Sequence, residues 1–121
     1  MVYADTNFFI GLMNVTDEHH ATAKKLYSRF KSNIDTSVLT IAELLIGCEK
    51  HSLDPEKIIG SVFKMANVSG IDLEEAMRAA HYMKHKKLRV IDALHCALAG
   101  SEIISADKDL DKTKIVRIWD R

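Results

Sequence analysis

The strongest constraint on how this chain can fold is the spacing of its few strand-like runs, which lie too far apart to pair as hairpins. Val2-Tyr3-Ala4, Ile34 to Thr36, Ile103-Ile104 and Ile115 to Trp119 each read as a short strand, and helical periodicity fills most of the gaps. Antiparallel neighbours need only a tight turn, whereas parallel strands need a crossover of a dozen or more residues, usually a helix. A parallel sheet is almost always buried on both faces, so the helices must be shared between its two sides. The expectation is an α/β fold, a three-layer α/β/α domain with a small, mainly parallel sheet in which helix dominates.

The helices can be read one by one. Asp5-Thr6-Asn7 is a turn or helix-start cluster after the first strand, and residues 8–13 follow as a short helix. Over about 17–30, Ala23, Leu26, Tyr27 and Phe30 recur at i, i+3, i+4 and i+7 beneath a Lys/Arg face. Another helical run covers about 38–48. Asp54-Pro55 marks a start, with aspartate as cap and proline at the first helical position, and Ile58, Ile59, Val62, Phe63 and Ala66 share one face. Asp72 opens the next helix, with Glu75 placed for a capping box and Leu73, Ala76, Met77, Ala80 and Met83 as the expected inner stripe. A last helix over 91–99 ends at Gly100. With 121 residues, one proline, five glycines and neither linker nor repeat, residues 1–121 are expected to form one domain.

Composition narrows the function classes. Seventeen basic and seventeen acidic residues cancel, which excludes a polybasic nucleic-acid coat and leaves room for a local basic patch. Cys48 and Cys96 form no C-x-x-C pair, so zinc-ribbon and thioredoxin-like motifs are absent, and both read as buried free thiols. The N-terminus lacks a signal-like apolar core, and no apolar run approaches the roughly 20 residues that span a bilayer. A cytoplasmic setting is the default expectation.

The acids are the candidate chemistry. In an open α/β sheet, ligands bind beyond the carboxyl ends of the strands. Asp5 directly follows the first strand, and Asp107 follows Ile103-Ile104 after Ser105 and Ala106. Parallel strands bring both to one edge. Glu43 lies within the apolar run Leu39 to Ile46, where a carboxylate needs a partner. It can be functional, belong to a Thr40-x-x-Glu43 capping box, or form a buried salt bridge. Asp92 opens a short apolar helix and can simply complement the helix dipole, while Asp107, Asp109 and Asp111 can be a solvated turn. Together they say more. Carboxylates about 5 Å apart repel by roughly 3 kcal/mol at an effective dielectric of 20, so a cluster at one edge calls for a cation. Oxygen ligands without His or Cys favour Mg²⁺ or Mn²⁺ over zinc.

At these residues the sequence resembles the PIN-domain family, particularly VapC-type toxins. The resemblance is carried by Asp5-Thr6-Asn7, Thr40-Ile41-Ala42-Glu43-Leu44, Ile91-Asp92-Ala93-Leu94-His95 and Ser105-Ala106-Asp107-Lys108-Asp109-Leu110, in that order across essentially the whole chain. It implies a Mg²⁺- or Mn²⁺-dependent endoribonuclease, the toxin of a toxin–antitoxin pair, often homodimeric and held inactive by a small antitoxin. Asp5, Glu43, Asp92 and Asp107 would be the acidic quartet that holds the catalytic cation, Asp109 an accessory ligand, and Asn7 and Ser105 supporting hydrogen-bonding residues. Ser105 stands where the family more often has Thr, and the segment between Asp92 and Asp107 is short, so the turn at Gly100 must be tight.

Upstream of Asp92, the run Lys84-His85-Lys86-Lys87-Leu88-Arg89 offers Lys84, Lys86, Lys87 and Arg89 as RNA-phosphate contacts; its alternative is a solvated helix end. His81 and His85 have i, i+4 spacing without the glutamate of H-E-x-x-H and read as an exposed face. His95, three residues after Asp92, shares its helix face and is expected to pack or to support the site. Two other functions fit parts of the pattern: a nucleic-acid-binding module with little cleavage, and a haloacid-dehalogenase-type phosphatase. The latter requires Asp-x-Asp where this chain has Asp5-Thr6-Asn7.

Overall fold

The computed structural model describes residues 1–119. Along the chain lie β1 (Val2–Ala4), α1 (Thr6–Met13), α2 (His20–Phe30), β2 (Ile34–Ser37), α3 (Val38–His51), α4 (Pro55–Met65), β3 (Asn67–Ser69), α5 (Leu73–Lys86), α6 (Val90–Ala99), β4 (Glu102–Ile104), a 3-10 turn (Lys108–Lys112) and β5 (Val116–Ile118). The five strands form one sheet in the order β3-β2-β1-β4-β5, parallel throughout. The expected three-layer α/β/α arrangement is what the chain adopts.

Strand alternation explains how both faces are covered. On β1, Val2 and Ala4 point into a core with Phe8, Phe9, Leu26, Leu44 and Val62, beneath α1 to α4. Tyr3, between them, points the other way, into a core with Ala79, Ala93, Cys96 and Ile103, beneath α5 and α6. Three residues thus anchor both layers. Cys48 and Cys96 are buried free thiols.

Local signals set the helix ends. The Asp54 side chain accepts from the backbone N–H of Glu56 and Lys57, and Asp72 with Glu75 forms the reciprocal capping box. Gly100, at φ 80°, takes the backbone out of α6 in a conformation that residues with a Cβ rarely adopt.

Five expectations are corrected. The helix α1 starts at Thr6, because Asp5 already caps it, while α2 starts at His20, because Asp17 is held in a turn by accepting from the His19 N–H at 2.9 Å. The strand β3 was not expected; Asn67-Val68-Ser69 has one apolar residue, too little for a period, and it pairs at the sheet edge. Phe63 of α4 faces solvent at 58% exposure. On α5 the expected inner stripe is the outer one: Leu73, Met77 and Met83 are 79%, 63% and 41% exposed. The inward residues are Ala79 and Tyr82, with Arg78 beside them donating to the Ala97 carbonyl at 3.2 Å. A small residue at Ala79 lets α5 lie close on α6, and apolar count alone pointed to the wrong face.

Candidate active site

The chain winds outward from β1 through β2 to β3, then crosses to the opposite side of β1 to form β4 and β5. The gap beyond the carboxyl ends of β1 and β4 is therefore the topological switch point of the sheet, where side chains of both halves converge. The Asp5 N–H donates to the Ile104 carbonyl at 3.2 Å, which fixes the end of β1 beside the end of β4. Asp5 is only 6% exposed and caps α1 by accepting from the Phe8 N–H at 3.1 Å. Burial pushes its pKa up, and the charge of Asp107 adds to the rise; a hydrogen bond with Ser105 and the proximity of His95 act against it.

Asp107 follows β4, its N–H bonded to Ser105 Oγ at 3.0 Å and its carboxylate capping the 3-10 turn by accepting from the Asp109 N–H at 2.9 Å. Asp92 reaches the same place from the first turn of α6. Carboxylate oxygens of Asp92, Asp107 and Asp109 lie within 4.8 Å of one another. The crowding is visible in Asp92, whose pKa is pushed up to about 6 by burial and then by Asp107 and Asp109, with His95 opposing. Three hard oxygen donors at this spacing, with no Cys or His among them, suit a Mg²⁺- or Mn²⁺-type ion. Asp111, the remaining acid of this segment, turns away to an ion pair with Arg117 at 3.0 Å.

Glu43 stands outside that trio. The helix α3 begins at Val38, so Thr40 is interior and buried, and the capping-box alternative for Glu43 does not occur. Instead Glu43 Oε1 accepts from His95 Nε2 at 2.7 Å and from Thr6 Oγ1 at 2.5 Å. The other ring nitrogen, His95 Nδ1, lies 2.7 Å from the Tyr3 hydroxyl, which in turn lies 2.8 Å from Ser37 Oγ. These partners fix the orientation of the ring, with Nε2 toward Glu43 and Nδ1 toward Tyr3. Burial pushes the Tyr3 pKa to about 12, so the phenol remains a donor. Burial also pushes Glu43 upward, but the bonds from His95 and Thr6 outweigh it and hold the carboxyl below its usual range.

His95 joins the two groups, since its proximity favours the ionised forms of Asp5, Glu43 and Asp92 alike. Of the expected site residues, Asp92, Asp107 and Asp109 come together; Asp5 adjoins them through Ser105 and Asp107, and Glu43 connects through His95. Ser105 is buried and bonded as a supporting residue, whereas Asn7 is exposed on α1 and stays outside this network. Lys84, Lys86, Lys87 and Arg89 are exposed on the last turn of α5 and the link into α6, one turn before Asp92. His81 and His85 are exposed, with ring centroids 4.5 Å apart. Sequence reasoning missed Tyr3, Thr6 and Ser37. The available signal was Tyr3 in a buried strand, because a buried phenol requires a hydrogen-bond partner.

A family model described as PIN domain matches residues 2–116. The chain belongs to the PIN-domain family. This PIN domain is similar in fold to Mycobacterium tuberculosis VapC20, described as a sarcin–ricin-loop-cleaving toxin, with 17% identity over 99% of this chain and 100% of that one and a TM-score of 0.84. It also resembles a chain of a toxin–antitoxin complex from Klebsiella pneumoniae, with 24% identity over 90% and 89% of the two chains and a TM-score of 0.73. A third likeness is to DNA-bound VapBC from Salmonella typhimurium, with 20% identity over 98% of each chain and a TM-score of 0.72. No curated protein matches this PIN domain in sequence.

Proposed function

We propose that this PIN domain is a divalent-metal-dependent endoribonuclease, the toxin of a toxin–antitoxin pair. The observation that carries the reading is the convergence of the Asp92, Asp107 and Asp109 carboxylates beside buried Asp5 at the switch point. The PIN family match supports a nuclease, and likeness to a sarcin–ricin-loop-cleaving toxin supports an RNA substrate. Likeness to toxin–antitoxin complexes supports a small antitoxin partner. A homodimer completes the reading, and the mass of the purified protein in solution tests it.

The donors fit Mg²⁺ or Mn²⁺, held by Asp92, Asp107 and Asp109 with Asp5 alongside. When bound, such an ion supplies positive charge for phosphoryl oxygens and acidifies water. Asp5 fixes the end of β1 through its cap and its Ser105 contact, setting the floor of the cleft. Glu43, kept ionised by His95 and Thr6, is the group that accepts a proton from the attacking water. Tyr3 and Ser37 hold His95 in the orientation that keeps Glu43 there. Lys84, Lys86, Lys87 and Arg89 contact phosphates flanking the cut, gaining affinity by counterion release.

The test is cleavage of a mixed RNA pool with Mg²⁺ or Mn²⁺, with EDTA and Asp5→Asn as controls. Asparagine still caps a helix, so the variant keeps its fold. Cleavage that needs the cation and is lost in the variant supports the reading. Cleavage indifferent to both overturns it, and RNA binding without cleavage under any divalent ion marks a binding module instead.

A further inference from the structure

A concavity of about 320 Å³ is lined by His19, Thr22, Ala106, Lys108, Arg117 and Trp119. Ala106 and Lys108 flank Asp107 in sequence, so the segment that carries this acid of the cluster also supplies part of the lining. We propose that this concavity is a nucleotide subsite, in which one unpaired RNA base lies against Trp119 and His19 while the adjoining phosphate meets Lys108 and Arg117. The proposal rests on the nuclease reading and adds the part of the substrate held next to the cut.

Three features carry it. Trp119 is the sole tryptophan of the chain, and the His19 ring stands edge-on to its indole, with centroids 5.3 Å apart at 87°. Two rings at a right angle make a corner that can stack one base and border its edge. Base stacking on aromatic side chains tolerates any sequence and needs a single, unstacked base. Next, Arg117 is fixed before any ligand arrives: Nε and Nη2 bond both Asp111 oxygens at 3.0 and 3.2 Å, and Nη1 donates to the Ser105 carbonyl at 3.3 Å. Ser105 also carries the Asp107 contact, so the guanidinium is tied to the strand end that presents the acids. Lastly, the volume lies at the small end of ligand pockets, with room for about one nucleoside and none for a duplex. Among the described residues, Asp111 is paired with Arg117 and Glu18 lies 3.3 Å from His19, while Lys108 is an exposed cation of the lining.

The sole tryptophan makes intrinsic fluorescence a reporter of this pocket. The experiment titrates the full-length Asp5→Asn protein in Mg²⁺ with a short end-labelled single-stranded RNA, following tryptophan emission and label anisotropy together. The expected result is saturable quenching at the anisotropy midpoint, lost when the oligonucleotide carries abasic sites. His19→Ala and Trp119→Ala each weaken binding, the latter roughly tenfold or more, and Trp119→Phe restores most of it. Circular dichroism verifies that each variant is folded, and His19→Ala carries the test should Trp119→Ala unfold. RNA that binds by anisotropy without changing tryptophan emission overturns the subsite and leaves the nuclease reading standing. Equal quenching by ribose phosphate overturns base stacking in favour of an anion site. Absence of both RNA binding and wild-type cleavage overturns the nuclease reading and the subsite with it.

Discussion

His95 is bonded on one side to Glu43 and on the other to Tyr3, and its proximity favours the charges of three acids. Replacing it by alanine leaves a buried phenol and a carboxylate without their partner and opens a cavity. Loss of about 3 kcal/mol of stability is expected in denaturant unfolding, together with loss of cleavage as Glu43 loses its orientation. Tyr3→Phe is the milder probe, since it removes only the hydroxyl between His95 and Ser37. About 1–2 kcal/mol and a partial loss of activity are expected from it. Asp92 works in the opposite sense. A rise to about 6 corresponds to about 3 kcal/mol for a fully buried carboxyl; Asp92 is only partly buried, and solvent screening reduces this to about 1 kcal/mol. Asp92→Asn should therefore stabilise the metal-free protein by about that amount at pH 7 while abolishing cleavage, as sites that store repulsion for function do. An inactive variant that is also less stable would refute the repulsion account. The acids themselves were legible in the sequence, because carboxylates after strands or within apolar helices are conspicuous. The network behind them was not. Tyr3, Thr6 and Ser37 look like ordinary strand and cap residues until β1, β2 and α6 are brought together.

At the scale of elements, parallel pairing and two-sided helix cover followed from spacing alone, whereas the facing of α5 did not. Leu73, Ala76, Met77, Ala80 and Met83 recur at helical spacing, yet the sheet layer takes Ala79 and Tyr82. Periodicity reports that a helix has an apolar side; it does not report which side meets the core when the other inward residues are small or amphipathic. The consequence can be measured. Ala79→Leu forces methylenes between α5 and α6 and should cost about 1–3 kcal/mol. Met77→Lys, out in solvent, should change monomer stability by no more than about 0.5 kcal/mol. The reverse ranking would return Met77 to the core. β3 escaped notice for a related reason, since an edge strand of Asn67, Val68 and Ser69 is specified by its register with β2 and hardly at all by its own composition.

For the whole molecule, protons and the proposed cation compete for one cluster, and this couples stability to pH. Asp92, at about 6, has a folded-state pKa above that of the unfolded chain, and Asp5 is shifted in the same sense, so from about pH 4 up through the Asp92 value the folded protein binds more protons. Stability of the metal-free protein should consequently fall as pH rises through that window. Glu43 acts at lower pH and with opposite sign: its depressed pKa contributes stability above the usual carboxylate range that is lost on further acidification. The metal-free protein is thus expected to be most stable between about pH 4 and 5, more acidic than the usual maximum. A divalent cation binds only the ionised cluster and releases its protons, so its effect should be large at pH 7 and small at pH 5. At a hundred times its dissociation constant, the ion adds about 2.7 kcal/mol, on the order of 10 °C in Tm for a chain of this size. Thermal melts at the two pH values, in EDTA and in Mn²⁺, measure both effects together. A Tm shift in Mn²⁺ that is the same at pH 5 and pH 7 would place the ion somewhere other than on Asp92, Asp107 and Asp109. Asp92→Asn provides the internal control, because it should remove the Mn²⁺ shift and lessen the acid-side rise in stability, leaving the part that Asp5 contributes.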